Sequence, residues 1–88
     1  MIDRSLFCTI LQILREQKDL AGGTMETALF DDCNLRATVP VTTSLLREHL
    51  QSAEDKGWVA WRLDRLSSKR WRITPAGEDA LKDIRSGG

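Results

Sequence analysis

The stretch Thr42-Thr43-Ser44-Leu45-Leu46-Arg47-Glu48-His49-Leu50-Gln51-Ser52-Ala53-Glu54-Asp55-Lys56-Gly57-Trp58-Val59 decides the fold. At about 100° per residue, Leu45, Leu46, His49, Leu50 and Ala53 cover one side of a helix, and Ser44, Arg47, Glu48, Gln51 and Asp55 cover the other. The pattern predicts a helix from Thr43 to Lys56. It opens on hydroxyl residues and ends at Gly57, which suits the left-handed position after a helix.

Downstream, Trp58 to Leu63 and Arg70 to Ile73 alternate as two short strands around the turn Asp64-Arg65-Leu66-Ser67-Ser68-Lys69. The simplest register buries Trp71 and Ile73 and exposes the arginines. Thr74 caps a last helix with Pro75 at its first position, where a missing N–H is harmless. Gly77, Ala80, Leu81 and Ile84 form its inner face. Upstream, Asp3 caps a helix running to about Lys18. Leu6, Phe7, Ile10, Leu11 and Leu14 share one face, with Ile13 at its margin. Gly22-Gly23 ends that segment. Thr24 is the expected cap of a second helix, Met25 to Cys33. Val39-Pro40 forbids a helix through the following link, and a short strand is expected near Thr38 to Val41. Helix, helix, helix, strand, strand, helix is the order of a winged helix. The expected class is therefore α+β: a three-helix bundle with a two-stranded hairpin wing and a C-terminal helix. The reading places one domain over residues 1–85 and a frayed tail at 86–88.

Composition narrows the function classes. The 88 residues carry 13 basic and 13 acidic side chains and no net charge. The segment Lys56–Ile73 nevertheless holds Lys56, Arg62, Arg65, Lys69, Arg70 and Arg72 against Asp64 alone, a net +5, and the remainder carries −5. One-signed charge concentrated on a hairpin points to a polyanionic partner. No apolar run approaches the ~18 residues of a membrane span, and the N-terminus lacks a signal-peptide layout, so a cytoplasmic protein without a membrane partner is expected.

Catalytic and metal chemistry find no ligand set. Cys8 and Cys33 lack CxxC partners, and the single histidine, His49, cannot complete a zinc site with them. His49 falls on the apolar face of its helix and reads as a packed, hydrogen-bonded residue rather than a base. Asp31 and Asp32 are adjacent on a helix and point apart. No GxSxG elbow or phosphate-cradling glycine loop occurs. The expectation is no enzyme, no cofactor and no metal.

The residues that fit a role are polar ones on the third helix and the hairpin. Thr43, Ser44, Arg47 and Gln51 have donors and acceptors suited to phosphates or base edges, and Arg65, Lys69 and Arg70 suit phosphates. Glu48 and Asp55 share the outer helical stripe and also fit a protein–protein surface. Trp58, Trp61 and Trp71 suit core or interface filling better than base stacking.

The run Leu46-x-x-x-Leu50-x6-Gly57-Trp58-Val59, with Trp71-x-Ile73-Thr74-Pro75-Ala76-Gly77, resembles bacterial winged helix-turn-helix regulators of the MarR and ArsR kind. These show an "L…GLV…LT..G…A" pattern, and Trp58 stands where they have leucine. Ile10-Leu11 to Gly22-Gly23 adds a looser likeness to small winged-helix proteins of Mu-like phages and prophages. The resemblance implies binding of double-stranded DNA by a small transcriptional regulator. Two departures limit it. The chain has no room for the long dimerisation helices of the MarR type, and Cys33 stands alone where metal sensing would need a cysteine motif. A winged helix used as a protein-interaction module is the second reading. The apolar arc of helix one, with Ile13 at its edge, leads to the expectation of a weak homodimer.

Overall fold

The computed structural model describes residues 3–19, 22–37 and 40–86. Its elements are α1 (Arg4–Glu16), β1 (Thr24–Met25), α2 (Glu26–Arg36), α3 (Thr43–Asp55), β2 (Val59–Leu63), β3 (Lys69–Ile73) and α4 (Pro75–Arg85). This is the α+β winged helix expected from the sequence, with one addition. The β2–β3 hairpin gains a third strand, and the antiparallel sheet runs β1-β3-β2.

Helices α1, α3 and α4 start where side chains can satisfy their free N–H groups. Asp3 accepts from the Ser5 N–H at 2.8 Å, Thr42 from Leu45 at 3.1 Å and Thr74 from Gly77 at 3.0 Å. The Thr74 hydroxyl also donates to the Gly57 carbonyl, tying the start of α4 to the end of α3. Gly77 is required for space. A Cβ there would overlap the Trp58 carbonyl oxygen, so α4 can lie against the β2 entrance only without a side chain at this position.

Leu6, Phe7, Ile10, Leu11, Ile13 and Leu14 of α1 are all buried. They meet Leu29 and Cys33 of α2, Leu46, Leu50 and Ala53 of α3, Val59 and Trp71 of the sheet, and Ala80 and Leu81 of α4. Ile13 is 0% exposed, not marginal as its wheel position suggests. α1 packs against α2, α3, α4 and β3, and the core consumes its whole apolar arc. His49 is equally enclosed and acts as a strut. Its Nε2 accepts the Asp3 backbone N–H at 2.7 Å. Its Nδ1 lies 2.8 Å from the Leu45 carbonyl, to which it donates, and Phe7 meets its ring edge-on.

Three local expectations are corrected. Thr24 does not cap α2; it lies in β1 opposite Trp71, while Met25 precedes α2 without a side-chain cap. Gly23, at φ +86, makes this pairing possible, because a Cβ there would sit 2.8 Å from the Trp71 carbonyl oxygen. Second, α2 runs on to Arg36 rather than ending at Cys33. Third, Pro40 and Val41 are not strand, and residues 38–39 of the expected strand lie outside the described residues. Instead the Asn34 side chain pairs with the Val41 backbone, accepting its N–H at 2.8 Å and donating to its carbonyl at 3.2 Å. This local bond substitutes for a strand partner. Of the expected tail, Ser86 is the C-cap of α4, and residues 87–88 lie outside the described residues.

Candidate nucleic-acid interface

The third helix and the hairpin face each other across a cavity of about 360 Å³. Glu26, Arg47, Leu50, Gln51, Lys69 and Trp71 line it. Three of the seven polar residues singled out in the sequence, from two distant segments, thus meet around one hollow. Leu50 and Trp71 are buried. The indole Nε1 of Trp71 makes no hydrogen bond.

The polar rim is ordered by internal contacts. The Nε and Nη2 of Arg47 both donate to one Glu26 oxygen at 3.2 Å. Gln51 donates to Asp55 at 3.1 Å one turn along α3. Lys69 lies over Trp61, 4.4 Å from its ring centroid, and 5.6 Å from that of Trp71. Trp61 is itself anchored by its N–H to Glu54 at 2.8 Å. Its indole therefore supports a cation, a task the sequence reading did not give it. Contacts of this kind on a wet surface are worth about 0–1 kcal/mol each, so a phosphate or base edge can compete for Arg47 and Lys69.

Thr43 and Ser44 sit exposed in the first turn of α3, away from the cavity lining. Arg65 is exposed in the hairpin turn. Arg70 departs from expectation. The register Leu63↔Lys69, Arg62↔Arg70, Trp61↔Trp71 and Ala60↔Arg72 puts Lys69 and Trp71 on one face of the hairpin, and Arg62, Arg70 and Arg72 on the other. Arg70 is also engaged, its Nε donating to Asp64 at 2.9 Å. The +5 segment is thus divided between two faces, with only Lys69 in the hollow beside α3. The arginine face borders a second hollow of about 400 Å³, with Trp61, Ile73 and Pro75.

Glu26 escaped the sequence reading. It lies at the first position of α2, far along the chain from Arg47, and no spacing rule relates the two. Of the two acids on the outer stripe of α3, Asp55 accepts from Gln51.

The chain is similar in fold to SSV1 F-93. The crystal structure of that protein superposes with a TM-score of 0.72 at 18% identity, over 93% of this chain and 83% of the other. At that identity the likeness carries the winged-helix architecture and no more. No protein-family model matches the chain, and no curated protein matches it significantly.

Cys33 is enclosed, and burial, with Asp32 nearby, pushes its thiol up to about 11, which leaves it inert as a nucleophile. Among the described residues, no three His, Cys, Asp or Glu side chains are grouped to hold a metal ion. No helix among them is long and apolar enough to cross a membrane.

Proposed function

We propose that this winged helix binds double-stranded DNA and serves as a small cytoplasmic transcriptional regulator without catalytic activity. α3 is directed at the major groove, and the hairpin grips the backbone. The observation that carries the reading is the convergence of Arg47, Gln51 and Lys69 on one hollow between α3 and the hairpin. Arg47 and Gln51 offer the donor and acceptor sets that read base edges, and Lys69 and Arg65 supply phosphate contacts. Thr43 and Ser44, at the start of α3, are placed for further backbone contacts. The resemblance to MarR- and ArsR-type regulators supports the regulatory role, and the likeness to Mu-like phage proteins extends it to a phage-encoded one.

A titration against random duplex at several salt concentrations tests the reading. Binding whose logarithm falls linearly with log salt supports it. A flat or absent response turns the reading to a protein-interaction module. Glu26 inside the hollow favours that alternative, since its carboxylate suits a basic side chain of a partner better than a phosphate.

A further inference from the structure

The hairpin turn combines a rigid backbone with bare apolar side chains. Leu66 is 85% exposed and Leu63 59%. Arg62 and Arg65 are exposed alongside them. A turn of this kind is ordinarily built from Gly, Asn, Asp or Ser, and its geometry does not call for leucine.

Asp64 organises the turn. One of its carboxylate oxygens accepts the backbone N–H groups of Leu66 at 2.8 Å and Ser68 at 2.9 Å. The other takes Arg70 at 2.9 Å. The Asp64 backbone accepts from Ser67 and donates to Ser68, both at 3.0 Å. The N–H of Ser68, then Arg70 and the N–H of Leu66, hold the Asp64 carboxyl below the usual carboxylate range. Ser67 takes the left-handed conformation at φ +61, which closes the loop. The backbone donors of residues 66–68 are all directed inward, and Arg65 and Leu66 are left facing solvent. This is preorganisation: little ordering entropy is left to lose when the tip meets a partner.

We propose that the hairpin tip is a minor-groove wedge, in which Leu66 enters between two base pairs of a duplex and Arg65 holds the flanking phosphates. The proposal rests on the DNA-binding reading and adds a second, shape-dependent mode of recognition to it. The chemistry selects the partner. An apolar tip rimmed by guanidinium groups fits a narrow cleft with a polyanionic rim and stacked rings inside, as a minor groove offers. Lys69 joins the tip to the α3 hollow, because it pairs with Leu63 in the last rung of the hairpin and lines the cavity with Arg47. Two leucines form too small an apolar area to seat on a bilayer, where an extended apolar face is needed. Steps that unstack readily, TA and CA/TG, are the expected targets, and stiff A-tracts are disfavoured.

The test uses end-labelled duplexes, one with a central TA step and one an A-tract. Anisotropy reports binding and end-to-end energy transfer reports bending. The full chain is expected to bend the TA duplex by about 20–90°. Leu66→Ser is expected to bind without the bend and to lose about tenfold in affinity for the TA duplex, with less than about twofold loss on the A-tract. Leu66→Met keeps an apolar wedge of similar volume and is expected to retain the bend. Unchanged melting temperatures verify that each variant is folded. Binding by the full chain with a straight duplex, or a bend that survives Leu66→Ser, overturns the wedge and leaves the DNA reading standing. No binding of the full chain to either duplex overturns both. Capture by anionic vesicles in place of the duplexes, or self-association abolished by Leu66→Ser, also overturns the wedge.

Discussion

Helix α1 and the β2–β3 hairpin use similar raw material in opposite ways. α1 buries six large apolar side chains, and its polar residues reach neighbouring elements: Glu16 to Arg36, Gln12 to Arg85. The hairpin buries Val59 at its base and Trp71 in its middle rung, then leaves Leu63, Leu66 and most of its cations in water. One element is committed to stability. The other keeps at its tip an apolar and charged surface from which the fold gains little. Substitutions should therefore separate cleanly into those that unfold the molecule and those that disarm it.

The largest effect is expected from Ile13→Asp. A carboxylate at a fully enclosed position has no partner, and the cost should be about 4 kcal/mol or more, read by urea unfolding. The same variant tests self-association. A folded, monomeric Ile13→Asp protein, beside a wild type that dimerises in sedimentation, would show that α1 has apolar surface to spare and would break the contrast.

On the hairpin, Arg65→Ala with Lys69→Ala should weaken duplex binding across sequences and flatten the salt dependence by roughly one unit per lost phosphate contact. The unfolding free energy should change by less than about 1 kcal/mol. Adding Arg70→Ala should leave the slope of the double variant nearly unchanged, because Arg70 faces away from Lys69 and serves Asp64. A further full unit of slope would restore Arg70 as a direct phosphate ligand.

Arg47→Ala should cost about 1–3 kcal/mol on a preferred site and less on random DNA. Glu26→Gln should act in the opposite direction, strengthening binding and steepening its salt dependence by releasing Arg47 and removing an acid from the hollow. Weaker binding by Glu26→Gln would instead identify the carboxylate as a support that aims the guanidinium.

The smallest effect is on α1. The Arg36 guanidinium, aided by Gln12, holds the Glu16 carboxyl down to about 2 from an ordinary 4.5. A lowered carboxyl stabilises the fold above its unfolded value, and that contribution fades as pH falls from about 4.5 towards 2. Glu16→Gln should therefore melt slightly below wild type at pH 7 and coincide with it near pH 2. The pair is exposed, so added salt should narrow the gap at pH 7. A gap that persists at pH 2 would assign the loss to packing.

Much of this contrast is legible in the residues themselves. The apolar faces of α1 and α3, the Gly57 stop and the Thr74-Pro75 start are local signals, and each lies where expected. His49 is legible too, since an imidazole on an apolar helix face must find partners for both ring nitrogens. β1 was hidden because Thr24 before a helical pattern has the chemistry of a cap. What draws it into a strand is the Trp71 backbone, far along the chain, approached through Gly23. The direction of Arg70 was hidden because adjacent basic residues look alike until the strand register gives them opposite faces.

The sequence by itself determined the order of the four helices and the hairpin, the starts of α1, α3 and α4 set by capping, and the concentration of positive charge on the hairpin. These depend on periodicities and side-chain–backbone bonds that span a few residues. Tertiary structure alone decided that Ile13 belongs to the core, that Glu26 clasps Arg47, that Lys69 rests on tryptophan beside α3, and that Arg70 turns away to brace Asp64. The first two join segments far apart in the chain, and the last two depend on the register and packing of the hairpin. The surface contacts among them, worth about a kilocalorie or less each, are realised only after the cooperative burial of the core has set the distances.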